Sequence, residues 1–181
     1  MKCTSCKAGS LVPAYLDTLF PCHTCDNCGG SFVYLADYLK WKEGNPNLAN
    51  LTVSGESFEV SETAQAMICP KTGLFMTKYR IASNTDHRID LSPTINAIWM
   101  DKGEWELLKT RGLAGRLNEI FTAPWQNKIR AAKTAEVLDG IYAKEFGENY
   151  AAIKAFRELI QPLDNRAEII AFLVSDDPYK T

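Results

Sequence analysis

The sequence predicts an α+β fold in which two small β-hairpin modules precede a helical C-terminal region. Three observations predict it: two Cys-x-x-Cys pairs near the start of the chain, a partial repetition of that segment about 66 residues later, and apolar residues at helical spacing after residue 110. We therefore expect a first module over residues 1–44, a linker over 45–65, a second module over 66–109 and a helical region over 110–181.

The overall composition excludes some classes of function. The chain has 181 residues, of which 46% are hydrophobic, and a formal net charge of -2. It can therefore bury a core of its own, and it is not a general binder of polyanions. No apolar run is long enough to span a bilayer, and the N-terminus lacks the hydrophobic segment of a signal peptide. We expect a cytoplasmic protein without a membrane partner, in a compartment where clustered cysteines usually bind metal.

The first module carries the chemistry that the sequence states most clearly. Cys3 and Cys6 form one Cys-x-x-Cys pair, and Cys25 and Cys28 form a second pair after 18 intervening residues. This spacing is typical of a four-cysteine zinc ribbon. The two glycines after Cys28 let the backbone curl around the thiolates. We predict one zinc ion, bound by these four cysteines in a closed, structural site.

Other uses of the cysteines remain open at this point. Cys22 can replace one of the four ligands, or it can act with Cys25 as a redox thiol pair. A disulfide framework is a further alternative for six cysteines. An iron–sulfur cluster is another, and it requires Cys22, Cys25, Cys28 and Cys69. The cluster leaves Cys3 and Cys6 without a role, so zinc is favoured.

The second module repeats the first at an offset of 66 or 67 residues. Cys69 falls at the position of Cys3, and Trp99 falls at the position of Phe32. The same offsets place the following residues where the other three ligands stood: Thr72, Ser92 and Ile95. One thiolate does not make a zinc site, so we expect this module to be metal-free and held together by hydrophobic packing.

Both segments resemble the transcription factor IIB-type zinc ribbons of small bacterial proteins. Their pattern is Cys-Pro-x-Cys, followed by Cys-x-x-Cys-x-Gly-x-Trp-Leu-Asp-x-Gly-Glu-Leu. The first segment matches at its four cysteines and Gly30, and departs at the following positions: Thr4, Phe32, Ala36 and Asp37. The second keeps Cys69-Pro70 and 99–104 but lacks three ligands. The resemblance covers about residues 1–43 and 66–109, and it implies a metal and a ribbon fold but no particular activity.

Local patterns predict the remaining elements. Short apolar runs indicate hairpins at 11–21 and 74–91, and residues 32–43 indicate a strand leading into a short helix. In the C-terminal region we expect three helices, over about 124–143, over 149–161 and from about 165 onwards. Their apolar faces are expected to pack together and against the second module.

One basic stretch is a candidate contact surface for nucleic acid or an acidic partner. Residues 109–133 contain six basic residues against one acid, with aromatic residues between them. The candidate contact residues are Lys109, Arg111, Arg116, Trp125, Lys128, Arg130 and Lys133. A solvated helix face with inward-facing aromatics explains the same pattern and is favoured.

The sequence contains no recognisable catalytic arrangement. Asp101 and Glu104 are the most conspicuous carboxylates, and we expect them to serve as a cap and first turn of a helix. We therefore predict a non-enzymatic zinc-ribbon protein that contacts nucleic acid or a protein partner, in a role related to transcription on the strength of the resemblance. The alternatives are a protein-interaction adaptor that binds no nucleic acid, and an iron–sulfur or thiol redox protein.

Overall fold

The fold is described from a computed structural model, for residues 1–47, 60 and 63–179. Most of the predicted linker lies outside these described residues. The chain forms two compact units, Met1–Ala132 and Lys133–Thr181, and one long helix contributes residues to both. The predicted α+β class is confirmed, because the first unit is built on a β-sheet with short helices and the second unit is helical.

A six-stranded antiparallel sheet forms the first unit, in the order β1-β2-β3-β6-β5-β4. The strands are β1 (Leu11–Tyr15), β2 (Pro21–Cys25), β3 (Ser31–Tyr34), β4 (Thr77–Arg80), β5 (Arg88–Ser92) and β6 (Ala97–Met100). The sequence predicts two separate hairpin modules. In the structure, β3 pairs with β6, and both hairpins become parts of one sheet.

The strand pairing of the first half recurs in the second half. The pair His23 and Phe32, which joins β2 to β3, corresponds to the pair Asp90 and Trp99, which joins β5 to β6. At the centre of the sheet Phe32 pairs with Trp99, so two equivalent residues face each other. Antiparallel pairing through equivalent residues is the arrangement that a local two-fold relation between the halves produces.

Unusual backbone conformations also recur at equivalent positions. Lys7 has a φ of 60° and Gly73 has a φ of 72°. Gly29 has a φ of 72°, and Asn96 at the matching position has a φ of 48°. Left-handed backbone is uncommon for residues other than glycine and asparagine. The two halves therefore share their turn geometry as well as their strand register.

Side chains alternate between the two faces of the sheet, as expected for a strand period of two. One face buries Val33 and Ile98 beneath helices α1 (Leu35–Gly44) and α2 (Glu104–Thr110). Its aromatic cluster consists of Phe20, Tyr38, Trp41 and Trp105. The opposite face buries a second apolar group around Phe32 and Trp99. The two turns that hold the predicted zinc ligands lie on this face as well.

The segment after α2 also belongs to the first unit, and it packs against α1. It comprises a 3-10 turn at Ala114–Arg116, helix α3 (Leu117–Ile120) and the start of α4 (Ala123–Phe146). The hydroxyl of buried Tyr38 donates to the Ala114 carbonyl at 2.8 Å and accepts from the Leu117 amide at 3.1 Å. Burial raises the pKa of Tyr38 to about 12.

The second unit contains the end of α4, α5 (Tyr150–Ile160) and α6 (Arg166–Val174). Among its described residues, 133–179, only Ile160 is buried. The helices of this unit therefore leave most of their apolar residues exposed, and the expected packing of these helices against the second module stays a prediction. Within the described parts of the chain, none of the helices has the combined length and apolar character that a membrane crossing requires.

Candidate metal centre

Two backbone turns bring the predicted ligands together. The first turn holds Cys3 and Cys6 and is closed by a hydrogen bond from the Cys3 amide to the Gly9 carbonyl at 2.9 Å. The second begins at Cys25, the last residue of β2, and is closed by the Gly29 amide donating to the Cys25 carbonyl at 3.0 Å. The left-handed φ of Gly29 permits this tight curl.

The four sulfur atoms have the spacing of a tetrahedral thiolate site. The Sγ atoms of Cys3 and Cys28 are 3.8 Å apart, and those of Cys6 and Cys25 are 3.7 Å apart. All four lie within 4.8 Å of one another. A zinc–sulfur bond of about 2.3 Å in tetrahedral geometry places the sulfurs about 3.8 Å apart. These four cysteines can therefore hold one zinc ion.

The protein environment favours the thiolate form of one of these cysteines and disfavours the thiolate form of two others. The Gly9 amide lies 3.4 Å from Cys6 Sγ and, with the Asn27 side chain, lowers the pKa of that thiol to about 6. Burial raises the pKa of Cys3 and of Cys28. Thiolates collected in a partly buried cluster repel one another, and a divalent cation relieves that repulsion.

Gly9 is a structural requirement of the site that the sequence analysis missed. A Cβ atom at this position would lie 2.5 Å from Cys25 Sγ and 2.6 Å from the Asp26 carboxylate. Only glycine leaves room for the two turns to approach. The signal was available, because Gly9 follows Cys6 by three residues, but the sequence analysis considered only the glycines after Cys28.

Cys22 lies on the other side of the sheet from the ligand cluster. It stands three residues before Cys25 on β2, so its side chain points to the opposite face. There it is buried in the apolar group that includes Phe20, and its Sγ lies 3.4 Å from Thr24 Oγ1. The geometry thus gives no support to Cys22 as a zinc ligand or as part of an iron–sulfur cluster. All six cysteines are free thiols, which removes the disulfide alternative.

The matching positions of the second half hold one buried thiol and two hydroxyls. Cys69 is fully buried, and although burial acts in the opposite direction, the pKa of its thiol is lowered, chiefly by the Thr72 side chain. Ser92 Oγ is buried and has no hydrogen-bond partner among the described residues. Ile95 packs against the neighbouring apolar group. Among the described residues, the four N-terminal cysteines form the only cluster with metal-ligand geometry.

A buried carboxylate network joins the centre of the sheet to α2. The Asp101 carboxylate accepts hydrogen bonds from Trp99 Nε1 at 2.8 Å and from the Thr63 amide at 2.6 Å. The Glu104 carboxylate accepts from the Asp101 amide at 2.8 Å. The expected capping role of the Asp101 side chain is wrong, since Gly103 is the N-cap of α2 and no side chain caps it.

Several of the predicted basic contact residues are engaged within the protein. Lys109 pairs with Asp17 at 3.4 Å, and Arg116 pairs with Glu119 at 2.5 Å. The Arg116 guanidinium also lies 4.7 Å from the ring of Trp125. These ion pairs reduce the charge that is free to meet a phosphate.

The other predicted contact residues, Trp125 among them, also make contacts within the protein. Trp125 donates its indole N–H to the Ile81 carbonyl at 3.2 Å, so its polar edge points into the protein. The remaining predicted residues have the following places. Arg111 bonds to Asn84, Arg130 bonds to Asn127, Lys128 lines a surface cavity beside Trp125, and Lys133 pairs with Glu136 in the second unit.

Comparison with known proteins supports the metal site. Residues 2–44 match the transcription factor zinc-finger family, which confirms the resemblance for the first segment. The match includes all four clustered cysteines and ends with the last residue of α1. No curated protein and no solved structure matches the chain significantly.

Proposed function

We propose that the protein is a non-catalytic zinc-ribbon module that binds a protein partner. In this proposal, zinc holds the first half of the sheet in place, and the helical second unit supplies the larger part of the binding surface. The observation that carries the proposal is the exposure of apolar side chains on that unit. The non-enzymatic role is supported by the four thiolates, which fill a tetrahedral zinc shell and leave no position for a substrate.

The exposed apolar side chains occur on all three helices of the second unit. On α5, Leu159 is 66% exposed, and on α6, Leu173 and Val174 are 56% and 75% exposed. Val137 and Ile141 on α4 are also exposed. Exposed apolar side chains in this number often mark a protein interaction site, because leaving them in water is unfavourable. A partner that covers these helices would stabilise the complex.

We also propose that the second half of the sheet is a metal-free copy of the first. The repeated register, the matched left-handed residues and the Cys69, Thr72, Ser92 and Ile95 set support this interpretation. In such a copy, apolar packing and thiol–hydroxyl hydrogen bonds take the place of the metal. The module then offers a preformed sheet of twice the usual width with a single metal requirement.

Nucleic acid is the competing partner, and the match to a transcription factor zinc-finger family favours it. The ion pairs of Lys109 and Arg116 and the inward-facing indole of Trp125 count against it. Of the predicted contact residues, Arg111, Lys128 and Arg130 have no acidic partner within the described parts of the chain, and they are the ones to change in a test of this alternative.

The test compares binding by the zinc-loaded full chain with binding by two variants. The first variant carries Leu159→Glu and Leu173→Glu, and the matched control carries Gln161→Glu at an exposed polar position on the same unit. Light scattering measures self-association, and quantitative affinity capture measures stoichiometric binding of another protein. We expect the double variant to weaken binding at least about tenfold and the control to leave it unchanged.

Two results would count against a protein-binding role. One is a chain that stays monomeric and captures no protein in stoichiometric amount. The other is salt-sensitive retention on single-stranded DNA that disappears when Arg111, Lys128 and Arg130 are changed to alanine, which would identify nucleic acid as the partner.

A further inference from the structure

A cavity of about 550 Å³ opens between the β1–β2 hairpin and the start of α2. The residues of its wall that matter here are Tyr15, Leu16, Thr24, Ser31, Lys102 and Trp105. All of them belong to the first unit, and none is a zinc ligand, although the wall also includes Gly29 of the second cysteine turn. The cavity lies on the sheet face that carries the helices.

The repeat relates this cavity to a place in the second half that is already filled. Tyr15 pairs with Pro21 at the end of β1, as Arg80 pairs with Arg88 at the end of β4. Leu16 then donates its amide to the Phe20 carbonyl at 3.0 Å, as Ile81 donates to the His87 carbonyl at 3.3 Å. Trp105 follows Trp99 by six residues, as Tyr38 follows Phe32. The three wall residues Tyr15, Leu16 and Trp105 thus correspond to Arg80, Ile81 and Tyr38.

All three of those counterparts contact one stretch of the chain, residues 114–126. Tyr38 exchanges hydrogen bonds with the backbone of Ala114 and Leu117. Trp125 donates its indole N–H to the Ile81 carbonyl at 3.2 Å, and Gln126 donates its side-chain amide to the Arg80 carbonyl at 2.8 Å. This short helical stretch also buries Leu117 and Ile120 completely. In the second half, the place of the cavity is occupied by a helical segment of the chain itself.

The floor of the open cavity differs in one chemical respect from the filled place. Thr24 and Ser31 stand where the second half has Leu91 and Ile98. The two hydroxyl oxygens lie 3.1 Å apart, and Ser31 is 4% exposed. The floor therefore carries two hydroxyls beside the apolar side chain of Met100, and an occupant gains by offering a polar group at the hydroxyls.

The rim offers acceptors at the same positions that the internal segment uses. β1 is an edge strand with β2 as its neighbour in the sheet, as β4 is an edge strand beside β5. At the end of β4, the Arg80 and Ile81 carbonyls accept side-chain N–H groups. The corresponding carbonyls are those of Tyr15 and Leu16. Edge carbonyls of this kind are recognition points for an incoming chain.

We propose that this cavity is the docking site for a short helical segment of a protein partner. The segment places an apolar side chain against Tyr15 and Leu16, next to the buried ring of Trp105, a polar side chain against Thr24 and Ser31, and side-chain N–H donors at the β1 edge. The inference rests on the proposed protein-binding role and adds to it a second, defined contact point on the first unit. Its occupant imitates what residues 114–126 do in the second half.

The test uses a display library of helix-forming peptides with the length of the 114–126 segment, selected on the zinc-loaded full chain. Counter-selection uses the Lys102→Trp variant, in which a large side chain at an exposed wall position fills the cavity. The control is Lys40→Trp on the exposed side of α1. Zinc content and melting temperature establish that both variants fold.

We expect the selected peptides to shift the NMR signals of the Trp105 indole and the Thr24 amide. Their dissociation constant should rise at least about tenfold for Lys102→Trp and stay unchanged for Lys40→Trp. The proposal is overturned if no peptide is enriched against the counter-selection, or if the bound peptides shift only signals of the second unit.

Failure of the cavity and failure of the wider binding role give different results. If a protein partner captured by the full chain binds the Lys102→Trp variant as tightly as the unchanged chain, the cavity assignment is wrong and the binding role stands. If the full chain binds no protein and no peptide, the binding role itself is wrong.

Discussion

The two halves of the sheet have the same strand register but are stabilised by different means. In the first half, four cysteine sulfurs 3.7 to 3.8 Å from their neighbours form a zinc site, and the turns around them contain little else that is buried. In the proposed metal-free copy, Cys69, Thr72, Ser92 and Ile95 stand at the matching positions, where Thr72 contacts the Cys69 thiol and Ile95 packs against apolar neighbours. The same turns can therefore be held by a metal or by packing. The halves differ in how strongly the stability of each one depends on a single component, a metal ion or one side chain.

The magnitudes of the two kinds of stabilisation are unequal. A structural zinc ion contributes about 10 to 16 kcal/mol in small zinc-binding peptides. Fully burying one aliphatic side chain contributes about 1.5 to 3 kcal/mol. The first half should therefore unfold when its zinc ion is removed. The second half should stay folded after any single substitution at the positions that match the zinc ligands.

The largest expected effect is the loss of zinc. Cys25→Ser should abolish stoichiometric zinc binding and unfold the first half, because three thiolates in this small module no longer supply the metal's binding energy. Metal analysis and the amide NMR spectrum measure both changes. The matched control is Cys22→Ser, which lies on the same strand but on the other face and should keep one zinc ion per chain. Retention of one zinc ion by Cys25→Ser would show that our ligand set is wrong.

The next effect is a gain of zinc in the second half. Changing Thr72, Ser92 and Ile95 together to cysteine should create a second site with Cys69, because the backbone turns already have the left-handed residues that the first site uses. We expect two zinc ions per chain, measured by metal analysis after purification with zinc. The single change Ser92→Cys is the control and should leave one. A triple variant that binds only one zinc ion would contradict the proposed equivalence of the halves.

The smallest expected effect is a fall in the free energy of unfolding at alkaline pH, caused by Tyr38 on α1. Tyr38 has a folded pKa of about 12, above its ordinary value near 10, because burial disfavours the phenolate. A raised folded pKa means that the unfolded state loses its proton first. The stabilisation is fully present below about pH 10 and declines by roughly 1.4 kcal/mol per pH unit as the pH rises from there towards 12.

The measurement is denaturant unfolding of the zinc-loaded chain between pH 8 and about pH 12. Tyr38→Phe removes the titrating hydroxyl together with its bonds to Ala114 and Leu117, so the variant should be less stable at pH 8 but lose less with rising pH. Lys40→Ala on the exposed side of the same helix serves as control and should follow the unchanged chain. Parallel pH curves for the chain and the Tyr38→Phe variant would refute the assignment.

Local patterns in the sequence predicted the metal site well. The spacing of Cys3, Cys6, Cys25 and Cys28 defines two short turns. The conformation of a short turn depends mainly on residues that are close in sequence. The same is true of the hairpins and of the start of α4 near Pro124. Gly9, three residues after Cys6, was within reach of the same local reasoning, but the reason it must be glycine, the approach of the Cys25 sulfur, arises across space.

The features that were not predictable depend on contacts between distant parts of the chain. The pairing of Phe32 with Trp99 joins strands about 67 residues apart, and no local pattern reports which strand edges will meet. The exposure of the apolar helix faces in the second unit also depends on contacts that no local pattern reports. Apolar spacing on α5 indicates that one side seeks a partner, but it does not say whether this chain supplies that partner.

By itself, the sequence determined the metal, its four cysteine ligands and the stoichiometry of one zinc ion that they imply. These follow from the identity and spacing of a few cysteines, since zinc coordination imposes strict distances on whichever residues bind it. Only the tertiary structure decided that Cys22 lies on the far face, that both hairpins form one sheet, and that one half of this sheet leaves open a cavity that the other half fills. Those outcomes depend on which surfaces meet, and hydrophobic burial acts between surfaces without regard to their distance along the chain.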